Sequence, residues 1–145
     1  MMTKATLSKT FRFEAAHHLP NHTGKCREPH GHSYRLVVYV DGKVIDQTGH
    51  PQEGMVMDFD IIKRVWEEHL KPLLDHKDLN EQFMFVTTAE HLCAWIVVSF
   101  RDNGIPILSA DLWETETCCA HVNYSDVWGS ESMYRALTTH ETVPA

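Results

Sequence analysis

Cys26-Arg27-Glu28-Pro29-His30-Gly31-His32-Ser33-Tyr34-Arg35-Leu36-Val37-Val38-Tyr39-Val40-Asp41-Gly42 is the stretch that decides how this chain is read. Its second half alternates. Tyr34, Leu36, Val38 and Val40 share one face and Val37 and Tyr39 the other, which predicts a strand over Ser33 to Asp41. Asp41-Gly42 then reads as a hairpin turn. His30 and His32 have the parity of Tyr34, so an early strand start puts both imidazoles on one face. A third histidine, His17, comes from a separate strand-like segment. Three protein ligands around one point leave a fourth position open, as at a catalytic zinc, whereas structural zinc sites are closed by four. Imidazole also suits iron, copper and nickel, so spacing leaves the metal open. His18 is the rival of His17 and should point the opposite way. Cys26 lies between Lys25 and Arg27, and nearby positive charge favours a thiolate, a workable general base.

Working outward, Thr6 to Glu14 reads as a strand with Phe11 and Phe13 on one face, and Met55 to Met57 as a short one. Gln47 to Gly54 reads as a loop. From Asp58 the period becomes helical: Phe59, Ile62, Val65, Trp66, Leu70, Leu73 and Leu74, with Asp58 as N-cap and Pro72 near the end. A loop is expected over Asp75 to Val86. Thr87 with Glu90 three later is a capping-box pattern opening a second helix, which Asn103-Gly104 closes. Ile107 to Thr115 and Cys118 to Tyr124 read as a closing hairpin. The order β-β-(β)-α-α-β-β segregates strands from helices, so the class is α+β with a mainly antiparallel sheet. The tail from Asp126 to Ala145 is weakly patterned; Ser130 to Thr139 is its one candidate helix.

The chain has 145 residues, 43% hydrophobic and 23% charged, which suits one globular domain with a real core. Its net charge of −7 argues against a nucleic-acid coat or a polybasic membrane binder. The N-terminus shows no apolar signal core, and no apolar run is long enough to span a bilayer, so a cytoplasmic location is expected. Cys26, Cys93, Cys118 and Cys119 are even in number, but a reducing compartment argues against disulfides. The absence of a Cys-x-x-Cys pair argues against a zinc ribbon.

Further residues carry candidate chemistry. Asp75-His76 has the composition of a dyad in which a carboxylate orients a histidine for proton transfer. Glu114, followed by Thr115, could accept two neighbouring N–H groups of a guanidine-like edge, as in guanine or a pterin; Glu116 shares its face and is the alternative. Lys25, Arg27, Arg35 and Lys77 are candidate phosphate contacts.

Five segments in order carry a resemblance: Phe13-Glu14-Ala15-Ala16-His17, Cys26-x-x-x-His30-Gly31-His32, Met55-Val56-Met57-Asp58-Phe59, Leu74-Asp75-His76-Lys77-Asp78-Leu79-Asn80 and Trp113-Glu114-Thr115. Together they resemble the 6-pyruvoyl-tetrahydropterin synthase / 6-carboxytetrahydropterin synthase family from about Phe11 to Tyr124. The cysteine-to-histidine spacing is similar to the bacterial carboxy branch. The resemblance implies a tunnelling fold (T-fold), a four-stranded antiparallel sheet with two helices on one face. It implies trimers stacked into a homohexamer with active sites between subunits. It would make 1–125 the catalytic domain and 126–145 an extension of unknown role. His17, His30 and His32 would hold zinc, Cys26 would be the base, Asp75 and His76 the proton relay, and Glu114 the pterin anchor helped by Thr115. The implied reaction converts 7,8-dihydroneopterin triphosphate to 6-carboxy-5,6,7,8-tetrahydropterin, releasing acetaldehyde and triphosphate, toward queuosine-type 7-deazapurines. The alternatives are a pyruvoyl product with the side chain retained, or a non-catalytic pterin-binding member. Thr87-Thr88-Ala89-Glu90 departs from the family's usual Pro-Thr-Ser-Glu.

Overall fold

The computed structural model describes residues 2–127 and Tyr134. Two long strands organise it, β1 (Lys4–His17) and β2 (His30–Lys43). They pair antiparallel along their whole length, from Lys4 opposite Lys43 to His17 opposite His30. Phe11, Phe13, Ala15 and His17 of β1 and Tyr34, Leu36, Val38 and Val40 of β2 are buried on one side. This is the alternation that a sheet covered on one face requires.

Strands β3 (Lys77–Asp78), β4 (Ile107–Trp113) and β5 (Cys119–Asn123) complete the sheet in the order β3-β1-β2-β4-β5. Four strands were expected. The fifth, β3, is a two-residue strand parallel to β1 at Ala15 and Ala16, too short to leave a periodic signature.

The expected turn at Asp41-Gly42 is not there. Both residues lie inside β2, opposite Thr6 and Ala5. Gly42 serves close approach instead: a Cβ there would meet Val56 Cγ1 at 3.1 Å. The connection between the strands is at the other end, between His17 and His30. Met55 to Met57 is likewise not a strand; Ile45 donates to the Met55 carbonyl and accepts from Gly54 N–H, each at 2.8 Å, while Met55 N–H turns back to the Gln52 carbonyl at 3.0 Å.

The first helical region spans α1 (Phe59–Val65), a π-turn (Trp66–Leu70) and α2 (Lys71–Leu74). Asp58 caps it, its side chain accepting from Asp60 N–H. The buried residues Ile62, Trp66, Leu70 and Leu74 recur every four positions, a spacing that outruns 3.6 residues per turn. The wider turn returns them to one stripe. It also precedes Pro72, which has no N–H to donate and whose ring would crowd the preceding turn.

The expected loop after this region holds β3 and a short helix, α3 (Leu79–Gln82), capped by Asp78. Helix α4 (Ala89–Asp102) packs against β4 and β5. Its N-cap is Thr88, which accepts from His91 N–H, one residue later than the expected Thr87. Asn103 ends it, and Gly104 follows at φ 84°, where a side chain is disfavoured. The helices therefore cover one face of the sheet. Among the described residues no helix is long and apolar enough to cross a membrane. The candidate helix at Ser130 to Thr139 lies outside the described residues except for Tyr134.

Candidate active site

The β1–β2 register builds a cluster of imidazoles. His17 and His30 are direct cross-strand partners; His32, two residues on, faces Ala15, whose small side chain leaves room for the ring. Ring centroids are 4.6 Å apart for His17–His30, 5.2 Å for His17–His32 and 4.9 Å for His30–His32, all edge-on. One nitrogen from each lies within 4.8 Å of the others. His18 stays out of this cluster. Its backbone is held by Asn80, whose Oδ1 accepts from His18 N–H at 2.8 Å and whose Nδ2 donates to the His18 carbonyl at 2.9 Å.

Hydrogen bonds orient the rings. His17 Nδ1 donates to the Thr87 carbonyl at 2.7 Å, and His30 Nδ1 donates to the Glu28 carbonyl at 2.9 Å. Because a carbonyl only accepts, each Nδ1 carries the proton and each Nε2 presents its lone pair, the state a metal ligand needs. His17 is 2% exposed, and its Nε2 and that of His32 are buried without a hydrogen-bond partner. An unpaired buried polar atom costs about 1–3 kcal/mol, so two in one cluster fit a cation that uses both. Burial lowers the pKa of His17, against the Thr87 carbonyl and the Glu114 charge, and burial lowers that of His32 as well. Both rings are thereby held neutral.

Glu114 follows the last residue of β4 and joins the cluster, its Oε2 3.5 Å from His32 Nε2. It also lines a cavity of about 360 Å³ with Ala89, Glu90, Cys118 and Cys119. Thr115 sits in the turn beyond, where its hydroxyl accepts from Thr117 N–H. The Thr115 and Thr117 hydroxyls also lower the pKa of the exposed Cys118 thiol. Glu116 is exposed in the same turn. Cys26 is half-buried in the 3₁₀ turn Lys25–Arg27, on the connection between the strand ends that carry His17 and His30. Its carbonyl accepts from Leu19 N–H at 2.8 Å, which folds this loop back on itself. Cys93, by contrast, is buried in α4 and pushed up to about 12 by burial, so it is no base.

Asp75 and His76 do form a pair, with Asp75 Oδ2 3.0 Å from His76 Nδ1. The free edge of β1 holds them: Asp75 Oδ1 accepts from Glu14 N–H at 3.0 Å, and His76 N–H donates to the Glu14 carbonyl at 2.6 Å. His76 adopts φ 58°, and its side chain is 78% exposed. Partial burial raises the Asp75 pKa, but the Glu14 N–H, His76 and Lys71 outweigh it and keep the carboxyl below its ordinary value. The pair faces an open depression of about 450 Å³ lined by Glu14, Gly31, His32, Ser33, His76 and Lys77. Among the described residues no hydrogen bond or ion pair ties Asp75–His76 to Cys26 or to the three histidines. One chain thus brings together the histidines and Glu114, while His76 and His32 line one depression with no direct bond between them.

Sequence reasoning missed several supporting groups. The Thr87 and Glu28 carbonyls orient ligands, and a backbone oxygen has no signature. Asn80 was quoted in a motif without a role, although its amide fixes the chain just beyond His17.

A sheet-and-helix domain whose paired strand ends bring three imidazoles together defines an α+β protein whose histidine cluster could hold a metal ion beside an adjoining carboxylate. The chain belongs to the 6-pyruvoyl tetrahydropterin synthase family, which matches residues 6–125. It is 44% identical over 114 residues to a 6-carboxy-5,6,7,8-tetrahydropterin synthase of Synechocystis, covering 77% of this chain and 88% of that one. It is 32% identical over 109 residues to human 6-pyruvoyl tetrahydrobiopterin synthase, covering 64% and 72%. The fold matches the Caenorhabditis elegans 6-pyruvoyl tetrahydropterin synthase structure with TM-score 0.72 at 24% identity, over 83% of this chain and 96% of that one. The T-fold expectation stands, with one short strand added.

Proposed function

We propose that this protein is a zinc-dependent 6-carboxy-5,6,7,8-tetrahydropterin synthase. It converts 7,8-dihydroneopterin triphosphate and one water to 6-carboxytetrahydropterin, acetaldehyde and triphosphate, in 7-deazapurine (queuosine-type) synthesis. The observation that carries the reading is the set His17, His30 and His32, with two Nδ1 atoms bound to carbonyls and unpaired buried Nε2 atoms on His17 and His32. The likeness to the Synechocystis synthase directs that site toward a carboxypterin product.

Zinc held by His17, His30 and His32 would supply Lewis acidity to the site. The remaining roles fall to the chain. Glu114 accepts two neighbouring N–H groups of the pterin edge, with Thr115 beside it, and so fixes the side chain over the reacting groups. Were His32 to serve as a metal ligand, its contact with Glu114 would give way and leave the carboxylate to the ligand. Cys26, as thiolate, takes a proton from the substrate side chain. His76, held by Asp75, delivers a proton elsewhere on the substrate. A free thiol at Cys26 suits a reducing cytoplasm.

Among the described residues no hydrogen bond or ion pair ties the dyad to Cys26 of its own chain, which supports a shared site in which one subunit's Asp75–His76 serves its neighbour's Cys26. A hexamer of stacked trimers is the assembly we propose for it. Lys25, Arg27, Arg35 and Lys77 are the candidates for holding triphosphate. Size-exclusion chromatography with light scattering tests the assembly: a hexamer is expected, and a monomer with full activity contradicts it.

A further inference from the structure

Among the described residues, the buried side-chain polar atoms without a hydrogen-bond partner are His17 Nε2, His32 Nε2 and the Tyr34 hydroxyl. A metal ion accounts for the two nitrogens and leaves the hydroxyl. Tyr34 is 1% exposed; its ring stacks on Phe13 at 4.6 Å and meets His32 edge-on at 5.4 Å and His17 at 6.4 Å. For filling this space alone, phenylalanine would serve equally, without a donor to desolvate.

The group that faces the hydroxyl follows from the sheet. Arg35 of β2 pairs with Trp113 of β4, so Tyr34 and Glu114 stand one step further along, on the core-facing side. The charge of Glu114 acts on the Tyr34 hydroxyl. The Glu114 carboxylate already leans toward the cluster, 3.5 Å from His32 Nε2. Once a cation takes that nitrogen, Glu114 loses this partner, and the neighbouring donor on the same face is Tyr34. A carboxylate has about four acceptor sites, so two can serve a ring edge while a third takes a hydroxyl.

We propose that Tyr34 is a positioning residue for Glu114: in the metal-loaded protein its hydroxyl donates to the Glu114 carboxylate and sets the angle at which that carboxylate accepts two N–H groups of a guanidine-like ring. This deepens the pterin-anchor reading of Glu114 and rests on it.

The test is a double-mutant cycle on the zinc-loaded protein, with the dissociation constant of neopterin, a pterin that does not react, as the readout. Tyr34→Phe is expected to weaken neopterin binding about tenfold, as loss of one hydrogen bond to a charged group does. Glu114→Gln should weaken it at least as much, and adding Tyr34→Phe to Glu114→Gln should change it little further, because both act through one contact. Two readouts separate positioning from a structural or ligand role. The melting temperature of the metal-free protein should hold or rise in Tyr34→Phe, since the lost hydroxyl had no partner. The visible spectrum of cobalt-substituted protein should be unchanged, since the hydroxyl does not touch the metal. Unaltered neopterin affinity in Tyr34→Phe, losses that add fully in the double variant, or a changed cobalt spectrum each overturn the proposal. If Glu114→Gln itself binds neopterin normally, the anchor reading falls and takes this inference with it. Loss in Glu114→Gln without loss in Tyr34→Phe removes the inference alone.

Discussion

The proposed metal and proton chemistry rests on single residues, and each role has its own readout. His30→Ala removes one of three imidazoles from the cluster, so zinc should fall far below one ion per chain by elemental analysis. Full occupancy would remove His30 from the ligand set. Cys26→Ala should keep zinc and neopterin binding and lose about 10²- to 10⁴-fold in turnover, the usual worth of a general base. Unchanged turnover would take Cys26 out of the mechanism. Much of this scale was legible in the sequence. The parity of His30 and His32 with Tyr34 follows from period two, and the cross-strand register then brings His17 into the cluster. The supports were less visible. Nothing in a sequence marks the Thr87 or Glu28 carbonyl as a partner for a ring seventy or two residues away. The left-handed backbone of His76 is equally silent, because the bond that accompanies it runs to the Glu14 carbonyl, far away in the sequence.

At the scale of elements, helix α4 shows why a good motif slipped by one residue. Thr87 and Glu90 have capping-box spacing, yet Thr88 accepts from His91 N–H while Thr87 is fully buried beside His17 and Asn80. Tertiary contacts claimed the first threonine and left capping to the second. Thr88→Ala should therefore cost about 1 kcal/mol in urea denaturation. Gly42 shows the same override: its small size serves Val56 inside β2 rather than a turn. The outward face of β4 and β5 carries a pH-dependent element. His121 on β5 bonds Asp111 on β4, which also accepts from Tyr39, and Asn123 holds the other ring nitrogen. The Asp111 contact, then Asn123, raise the His121 pKa above 6.5. A raised folded-state value means the contribution is complete below 6.5 and is lost as pH rises through the raised value. His121→Gln should thus lose more stability at about pH 5.5 than at about pH 8.5 in denaturation curves. An equal loss at both would show that the charge does not contribute.

For the whole molecule, the sequence conveyed the α+β class and most of the element order, though not β3, and it grouped the three histidines that the structure brings together. It did not convey that, among the described residues, no hydrogen bond or ion pair ties Asp75–His76 to the histidine cluster. The proposed shared site requires assembly, and mixing tests it. Cys26→Ala and His76→Ala are each expected to be inactive as pure proteins. Dissociated and reassembled together, they should recover about a quarter of wild-type activity if sites combine residues from two copies at random. No recovery in verified mixed assemblies would place the whole site within one chain. The central claim is the product itself. Zinc-loaded protein is incubated with 7,8-dihydroneopterin triphosphate, and pterin mass is followed together with trapped acetaldehyde. The account predicts 6-carboxytetrahydropterin with an equal amount of acetaldehyde; a pyruvoyl pterin without acetaldehyde, or unchanged substrate, would contradict it.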